Sequence, residues 1–360
     1  MQPWFSHHFA NPSATYREAQ KARAAIDDAR VKLANFLGCS ADEVIFTSSG
    51  TESCNYGIIG FIEPFLLRGG RPHIITSTIE HSAVLESIRY LERSYNLPVT
   101  YLSVNEEGII ELEAVLSALR EDTRLVSIMT VNNEIGTLQP IAELGKICRD
   151  KGISLHTDAC QASGYRRLKV DELQVDLLSL NAAKIYGPKG VGALYIREHI
   201  EMTAWTEGGG QEFKRLSGTE NVPAIIGFGK ALERVEEAQI QESKRLRKLR
   251  DQLWKTLQSG ISGLELNGSL EHRSPNNLNL WIKDTDAGSL VRRMDLDGFA
   301  IAMGSACASG TTEPSHVISS IKGEKAAKES IRVSLGKSTT KEELTAFAAS
   351  LQKAVGKLRR

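Results

Sequence analysis

Hydrophobic and polar positions along the chain alternate between a helical and a strand-like rhythm. Over residues 16–37 the apolar positions Ala19, Ala22, Ile26, Ala29, Leu33 and Phe36 recur at spacings of mostly three and four, and Gly38 follows as a cap. That spacing predicts an amphipathic helix. Short β-type runs come next at 43–46, 73–77, 99–104, 124–131 and 153–158. Helical patterns follow the middle ones, at 81–95, 111–120 and 141–151. Such alternation predicts an α/β fold, a mainly parallel sheet with helices on both faces, which binds ligands beyond the carboxyl ends of its strands. Thr51, His81, Asn133, Asp158, Gln161 and Lys184 each lie just after an apolar run. The topology can therefore gather them at one rim, although polar residues at strand ends are also ordinary turn formers.

The rhythm changes past residue 223. A long helical stretch runs to about 257, with Ile226, Ala231, Val235, Leu246, Leu249, Leu253 and Leu257 on one face. Its middle, QESKRLRKLRDQ, reads as a charged, solvated span. Beyond Gly260 the segments LNLWI, FAIAM and IRVSL read as strands, and Thr340 with Glu343 forms a capping box for a last helix. The expected division is a large domain over 1–235 and a smaller α+β domain over 236–360, with an active site in the cleft between them.

Composition narrows the possibilities further. A chain of 360 residues exceeds the size at which a single core usually stops growing. Its 44 basic and 44 acidic side chains cancel, which argues against nucleic acid or an anionic membrane as the main partner, despite the short basic stretch at 357–360. The longest apolar run, 58–67, is broken by Glu63 and Pro64, and the first residues carry neither a signal nor a transit pattern. A cytoplasmic protein is expected. The five cysteines, Cys39, Cys54, Cys148, Cys160 and Cys307, are scattered without a CxxC pair, so neither a disulfide framework nor a zinc site is expected.

Chemistry concentrates in a few stretches. Residues 176–197, DLLSLNAAKIYGPKGVGALYIR, read as strand, lysine-bearing turn and strand. A partly desolvated lysine there could capture a carbonyl cofactor as a Schiff base; the plain alternative is a solvated turn lysine. In TSSGTESCN, backbone amides at a helix start and the hydroxyl of Thr51 could cradle a phosphate, or merely cap the helix. Asp158 at a strand end could pair with a protonated pyridine nitrogen, as pyridoxal phosphate requires, or close an Asx-turn. Cys307 lies in SACASGTTEPS, which lacks apolar periodicity and suits a loop that carries a reactive thiol. The other four cysteines sit in or beside apolar stretches and read as packing residues.

The blocks FTSSGTESCN, EHSAVL, VNNEIGTLQPI, LHTDACQASG, AAKIYGPKGVGALY, GGGQEF with SGTENVP, and MGSACASG followed by SIRVSLG resemble, in that order, the signature blocks of cysteine desulfurases. These are pyridoxal phosphate enzymes of the class V aminotransferase fold. The resemblance covers about 11–340, and the MGSACASG block is similar to that of the subgroup serving iron-sulfur assembly and transfer-RNA thiolation. It implies a fold type I architecture and a homodimer that passes sulfur to an iron-sulfur scaffold or sulfur-carrier protein. Lys184 is implied as the Schiff-base and acid-base lysine, Asp158 as the partner of the pyridinium nitrogen and Gln161 as the donor to the phenolic oxygen. His81 would stack on the ring. Gly50, Thr51 and Asn181 would hold the phosphate, and Thr219 would reach the phosphate of the other subunit's cofactor. Asn133 and Arg332 would orient the substrate carboxylate, and Cys307 would take the sulfur.

Three departures from the family pattern stand out. The opening strand and its asparagine-alanine-threonine-threonine turn are not found ahead of Trp4, so a displaced start codon or a trimmed chain is expected. Ala183 replaces the usual histidine before the lysine; one lost donor to the phosphate costs about 1 to 3 kcal/mol unless another group compensates. Leu216 stands where an arginine is usual, with Arg215 one place earlier. The absent opening strand and Ala183 leave open a non-catalytic scaffold subunit, and a related lyase or aminotransferase of the same fold, turning over another amino acid without Cys307, is a second alternative.

Overall fold

The computed structural model describes residues 1–304 and 314–359. Seven strands form the main sheet: β1 (Val44–Thr47), β2 (His73–Ser77), β3 (Val99–Leu102), β4 (Thr123–Ser127), β5 (Ser154–Asp158), β6 (Leu177–Asn181) and β7 (Gly192–Ile196). Their spatial order is β1-β7-β6-β5-β4-β2-β3. The run from β6 to β3 is parallel, and β7 lies antiparallel to both β6 and β1. The expected mainly parallel sheet is what the chain forms.

Strands buried on both faces read as continuous apolar runs, and β1, β2 and β7 are buried at every position. On one face Ile26, Leu33 and Leu37 of the Arg17–Leu37 helix pack with Phe46, Val126, Leu178, Tyr195 and Phe228. That helix ends where Gly38 turns left-handed at φ 73° and donates to the carbonyls of Ala34 and Asn35. On the other face Ile58, Ile62, Val84 and Ile88 pack with Ile45, Ile74, Leu125 and Leu194. The helix predicted at 81–95 forms over Ser82–Tyr95 and is capped by His81, whose ring nitrogen accepts from the Ala83 amide.

The 39-residue helix Val222–Gly260 runs from this layer to a three-stranded sheet of β8 (Leu264–Leu266), β9 (Asn277–Ile282) and β10 (Ser330–Ser334), ordered β10-β9-β8. Here Leu246, Leu253 and Leu257 pack with Leu278, Leu280, Ile331, Phe347 and Leu351. The capping box at Thr340 and Glu343 is present at the head of the Lys341–Leu358 helix.

Two expectations need correction. The charged span 241–252 is not solvated throughout, because Leu246 enters the second core and Arg250, 2% exposed, turns inward to donate to the Ser274 carbonyl at 2.9 Å. FAIAM does not form a strand: its one pairing is the bridge Ala302↔Arg332 on the outer side of β10. No helix among the described residues is long and apolar enough to cross a membrane.

Candidate active site

A cavity of about 440 Å³ opens at the carboxyl ends of β4, β5 and β6, where it meets the second sheet. Gly50, Thr51, His81, Asn133, Asp158, Gln161, Asn181, Lys184 and Arg332 all line it. The rim anticipated from strand ends is therefore real. A parallel sheet delivers every strand's C-terminal residue to the same edge, which is why residues far apart in sequence converge.

The geometry gives several of these residues a fixed orientation. Asp158 ends β5, is 8% exposed and accepts the Cys160 amide on Oδ1 at 2.9 Å. It closes an Asx-turn and lines the cavity at once, so the two readings of its sequence are compatible. Asn181 ends β6 and accepts the Ala183 amide on Oδ1 at 3.0 Å. His81 accepts the Ala83 amide on Nδ1 at 3.0 Å, which requires that nitrogen to be unprotonated and leaves any proton of the neutral ring on Nε2. Arg332 on β10 donates from Nη1 to the Asn133 carbonyl at 2.8 Å, joining the second sheet to the loop after β4.

Lys184 sits in the single 3-10 turn Ala182–Ile185 that follows β6. It is exposed at the cavity, so the partial desolvation expected of it is not met by the chain alone.

The residues fit pyridoxal phosphate. Gly50 is a cradle that no side chain can share: a Cβ there would lie 2.7 Å from Cys160 Sγ and 3.1 Å from Asn181 Cβ. The Asn181 Nδ2 would stand 3.3 Å from the same point, a donor close to the start of the Gly50–Asn55 helix. Donors at Thr51 and the start of the Gly50–Asn55 helix, an acidic group at Asp158 and an amine at Lys184 are the groups this cofactor needs.

Two implied residues lie elsewhere. Thr219 is exposed in a separate hollow of about 240 Å³ that it shares with Ser48, Glu52 and Ser217. Cys307 lies outside the described residues. Other lining residues had no signal in the sequence reading, among them Asn276, Asn277, Ser334 and Tyr186. Tyr186 has a positive φ of 62°, and its hydroxyl accepts the Lys337 amide at 2.8 Å, tying the lysine turn to the end of β10.

Burial pushes the other thiols away from reactivity. The Cys39 and Cys148 thiols are raised to about 12 by desolvation, and those of Cys54 and Cys160 well above their ordinary value for the same reason, with the charge of Asp158 adding to both. Glu80, immediately before His81, is pushed up to about 8 by burial, opposed by hydrogen bonds from Ser77 and the Met129 amide.

Comparison with known proteins gives this geometry its context. The aminotransferase class-V family matches residues 1–347. The cysteine desulfurase IscS of Dictyoglomus turgidum is 45% identical over 360 residues, covering 100% of this chain and 91% of that protein. The IscS of Proteus mirabilis is 43% identical over 358 residues, covering 98% and 86% respectively. Among solved structures, a NifS-like protein superposes with a TM-score of 0.92 at 33% identity, over 99% of this chain and 94% of its own. A second, described as SspA in complex with cysteine, gives 0.81 at 36% identity over 93% of each chain. These relationships decide among the readings left open by the sequence in favour of the desulfurase. The chain belongs to the class-V aminotransferases, and among them to the cysteine desulfurases of the IscS type, which are pyridoxal phosphate-dependent enzymes.

Proposed function

We propose that the protein converts L-cysteine and the thiol of Cys307 into L-alanine and a Cys307 persulfide, and that it then donates this sulfur to an iron-sulfur scaffold or a sulfur-carrier protein for transfer-RNA thiolation. The convergence of Lys184, Asp158, Asn133 and Arg332 on one cavity carries this reading. Arg332 supplies a planar fork for the substrate carboxylate, and its bond to the Asn133 carbonyl fixes where that fork sits. Lys184 Nζ, exposed in the cavity, takes the substrate's α-proton. Asp158 keeps one oxygen on the Cys160 amide and offers its negative charge to the pyridinium nitrogen. His81, with Nδ1 occupied, presents its ring for stacking, and Gln161 serves the phenolic oxygen. Gly50, Thr51 and Asn181 hold the phosphate. Bound pyridoxal phosphate supplies the electron sink that makes the α-carbon acidic and weakens the Cβ–Sγ bond.

The thiolate of Cys307 then attacks the substrate sulfur. An S–S bond forms, the Cβ–Sγ bond breaks with its electron pair moving onto carbon, and a proton added at Cβ together with return of the α-proton from Lys184 to Cα completes L-alanine. The sum is L-cysteine plus a thiol giving L-alanine plus a persulfide, with no external oxidant.

The division into 1–235 and 236–360 belongs to this reading, the first part holding the cofactor and the second supplying Asn276, Asn277, Arg332 and Ser334 to the cavity along with Cys307 in sequence. A cytoplasmic homodimer also belongs to it. Its support is that Thr219 is exposed and turned to a different hollow, available to a partner's cofactor, while Phe5, Phe9 and Phe213 are 66%, 78% and 52% exposed.

The test follows the visible absorbance of the purified protein with pyridoxal phosphate, with L-alanine and Cys307 persulfide measured after L-cysteine is added. Lys184→Ala is expected to abolish the cysteine-dependent spectral change and alanine release; Cys307→Ala is expected to keep the spectral change and lose the persulfide. Alanine formation by Lys184→Ala, or persulfide delivery to an acceptor by Cys307→Ala, would overturn the assignment.

A further inference from the structure

Glu134, a buried acid one residue past the proposed substrate-orienting Asn133, stands at a junction that the reaction described above leaves unused. Its side chain is 1% exposed, and Oε1 has no hydrogen-bond partner among the described residues. Oε2 accepts from the hydroxyl of Ser315. A Cβ added to Gly304 would lie 3.3 Å from the same oxygen. Gly304 and Ser315 bracket, in sequence, the segment that contains Cys307.

The backbone of Glu134 is fixed as firmly as its carboxylate. Its amide donates to Asn132 Oδ1 at 2.8 Å, and its carbonyl accepts from Asn277 Nδ2 at 3.0 Å and Asn279 Nδ2 at 3.1 Å, both on β9. With Arg332 bound to the preceding carbonyl, three side chains of the second sheet grip two successive peptide groups. The Ser315 hydroxyl is also constrained, because it accepts the Ile318 amide at 3.1 Å and so caps the His316–Lys328 helix. The next residue, His316, donates from Nε2 to the Glu80 carbonyl at 2.9 Å, since a carbonyl can only accept. The start of this helix therefore holds the residue before His81 and the residue after Asn133.

Burying a carboxylate with one unmet oxygen costs stability, and a neutral residue could tie two segments together at less expense. We infer that Glu134 is a positioning residue for sulfur uptake, its carboxylate holding Ser315, and with it the start of the His316–Lys328 helix, against the loop that orients the substrate carboxylate. This inference rests on the reading of Cys307 as the sulfur acceptor. The Cys307 sulfur must meet the substrate sulfur in line with the breaking bond, and Ser315, eight residues after Cys307 in sequence, is the described residue through which Glu134 would act on that approach.

The test is single-turnover persulfide formation in the holoenzyme, trapped with iodoacetamide and read by mass at Cys307, for the parent, Glu134→Ala, Glu134→Gln and Ser315→Ala. Glu134→Ala and Ser315→Ala are expected to slow persulfide formation about tenfold or more. The equilibrium spectral response to L-cysteine should stay within about threefold of the parent in affinity. Glu134→Gln can still accept from Ser315 and should recover most of the rate, whereas a role of Glu134 in packing alone would slow Glu134→Ala and leave Ser315→Ala at the parental rate. Parental persulfide rates in both Ser315→Ala and Glu134→Ala, or a raised KM at unchanged turnover, would overturn this inference alone. A parent that forms alanine without a Cys307 persulfide would overturn the sulfur-acceptor reading, and this inference with it.

Discussion

Arg30 and Glu212 form a buried bidentate pair, with Nη1 and Nη2 donating to the carboxylate at 2.8 and 2.7 Å. Glu212 Oε2 also accepts the Phe46 amide at 2.8 Å, and the guanidinium lies 4.9 Å from the ring centroids of both Phe46 and Phe213. The pair joins the first long helix to the segment that leads to Thr219. Glu212, Phe213 and Lys214 all have positive φ, at 45°, 58° and 63°, which non-glycine residues adopt only when something holds them there. Arg30→Ala would leave a carboxylate buried without its counter-charge and is expected to cost about 3 to 5 kcal/mol. The check is the urea midpoint of the parent, Arg30→Ala, Glu212→Ala and the double variant. The double variant should lose clearly less than the two single losses added together, because removing both partners leaves no orphaned charge.

Two buried groups give stability a pH dependence of opposite sign. Glu80 has its pKa raised from 4.5 to about 8 by burial, so its contribution is full below 4.5 and is lost as pH rises through 8. His156 has its pKa lowered from 6.5 to about 4 by burial, partly offset by Asp158, so its contribution is full above 6.5 and is lost as pH falls through 4. The two oppose each other between 4.5 and 6.5, and from 6.5 to 8, of these two groups, the Glu80 contribution alone changes. Glu80→Gln keeps a neutral side chain at every pH and should remove that fall. Thermal midpoints at pH 6.5 and pH 8 are the check: the variant is expected to gain on the parent as pH rises, and a constant difference would place the Glu80 proton elsewhere.

How much was legible in the chain depends on whether a signal was local. The Arg17–Leu37 helix was plain because its buried face and its Gly38 cap are written in consecutive residues. Asp158, Asn181 and Lys184 were legible as cavity residues because their positions follow from strand ends and parallel topology. FAIAM has the composition of a strand, but Phe299 and Ile301 instead join the second core beside Phe347, leaving a single bridge at Ala302. Arg250 looked solvated because charge pattern says nothing of the Ser274 carbonyl, 24 residues away, that satisfies it. Asn276, Asn277 and Ser334 reach the cavity from the second sheet, and only docking of the two sheets reveals them. Glu134 and Glu80 drew no reading from the sequence for the same reason.

Thiol chemistry should be confined to one cysteine. Desolvation raises the Cys39 and Cys148 thiols to about 12 and those of Cys54 and Cys160 well above the usual range, so at pH 8 their thiolate fraction is negligible. Brief treatment of the native protein with iodoacetamide is therefore expected to modify Cys307 first, and prior L-cysteine should convert that adduct into its persulfide form. Peptide mass mapping is the check. Early labelling of Cys160 would show that the cavity floor opens in solution.

The cofactor cradle makes its own quantitative prediction at Gly50. A methyl group there would meet Cys160 Sγ at 2.7 Å, closer than real Cβ atoms approach, and would also press on Asn181 at 3.1 Å. To move aside, the buried Cys160 side chain would have to give up the contact of its Sγ with the Ser179 carbonyl at 3.8 Å. Gly50→Ala should therefore displace Asn181 or the start of the Gly50–Asn55 helix and weaken pyridoxal phosphate binding by about tenfold, or about 1.4 kcal/mol. Cys160→Ala removes the closest atom, so the double variant Gly50→Ala with Cys160→Ala should bind the cofactor more tightly than Gly50→Ala alone. Titration of the apoprotein followed by visible absorbance measures each affinity. If the double variant bound no better than the single one, the crowding would have to come from Asn181, and Gly50→Ala with Asn181→Ala would then separate lost space from a lost donor.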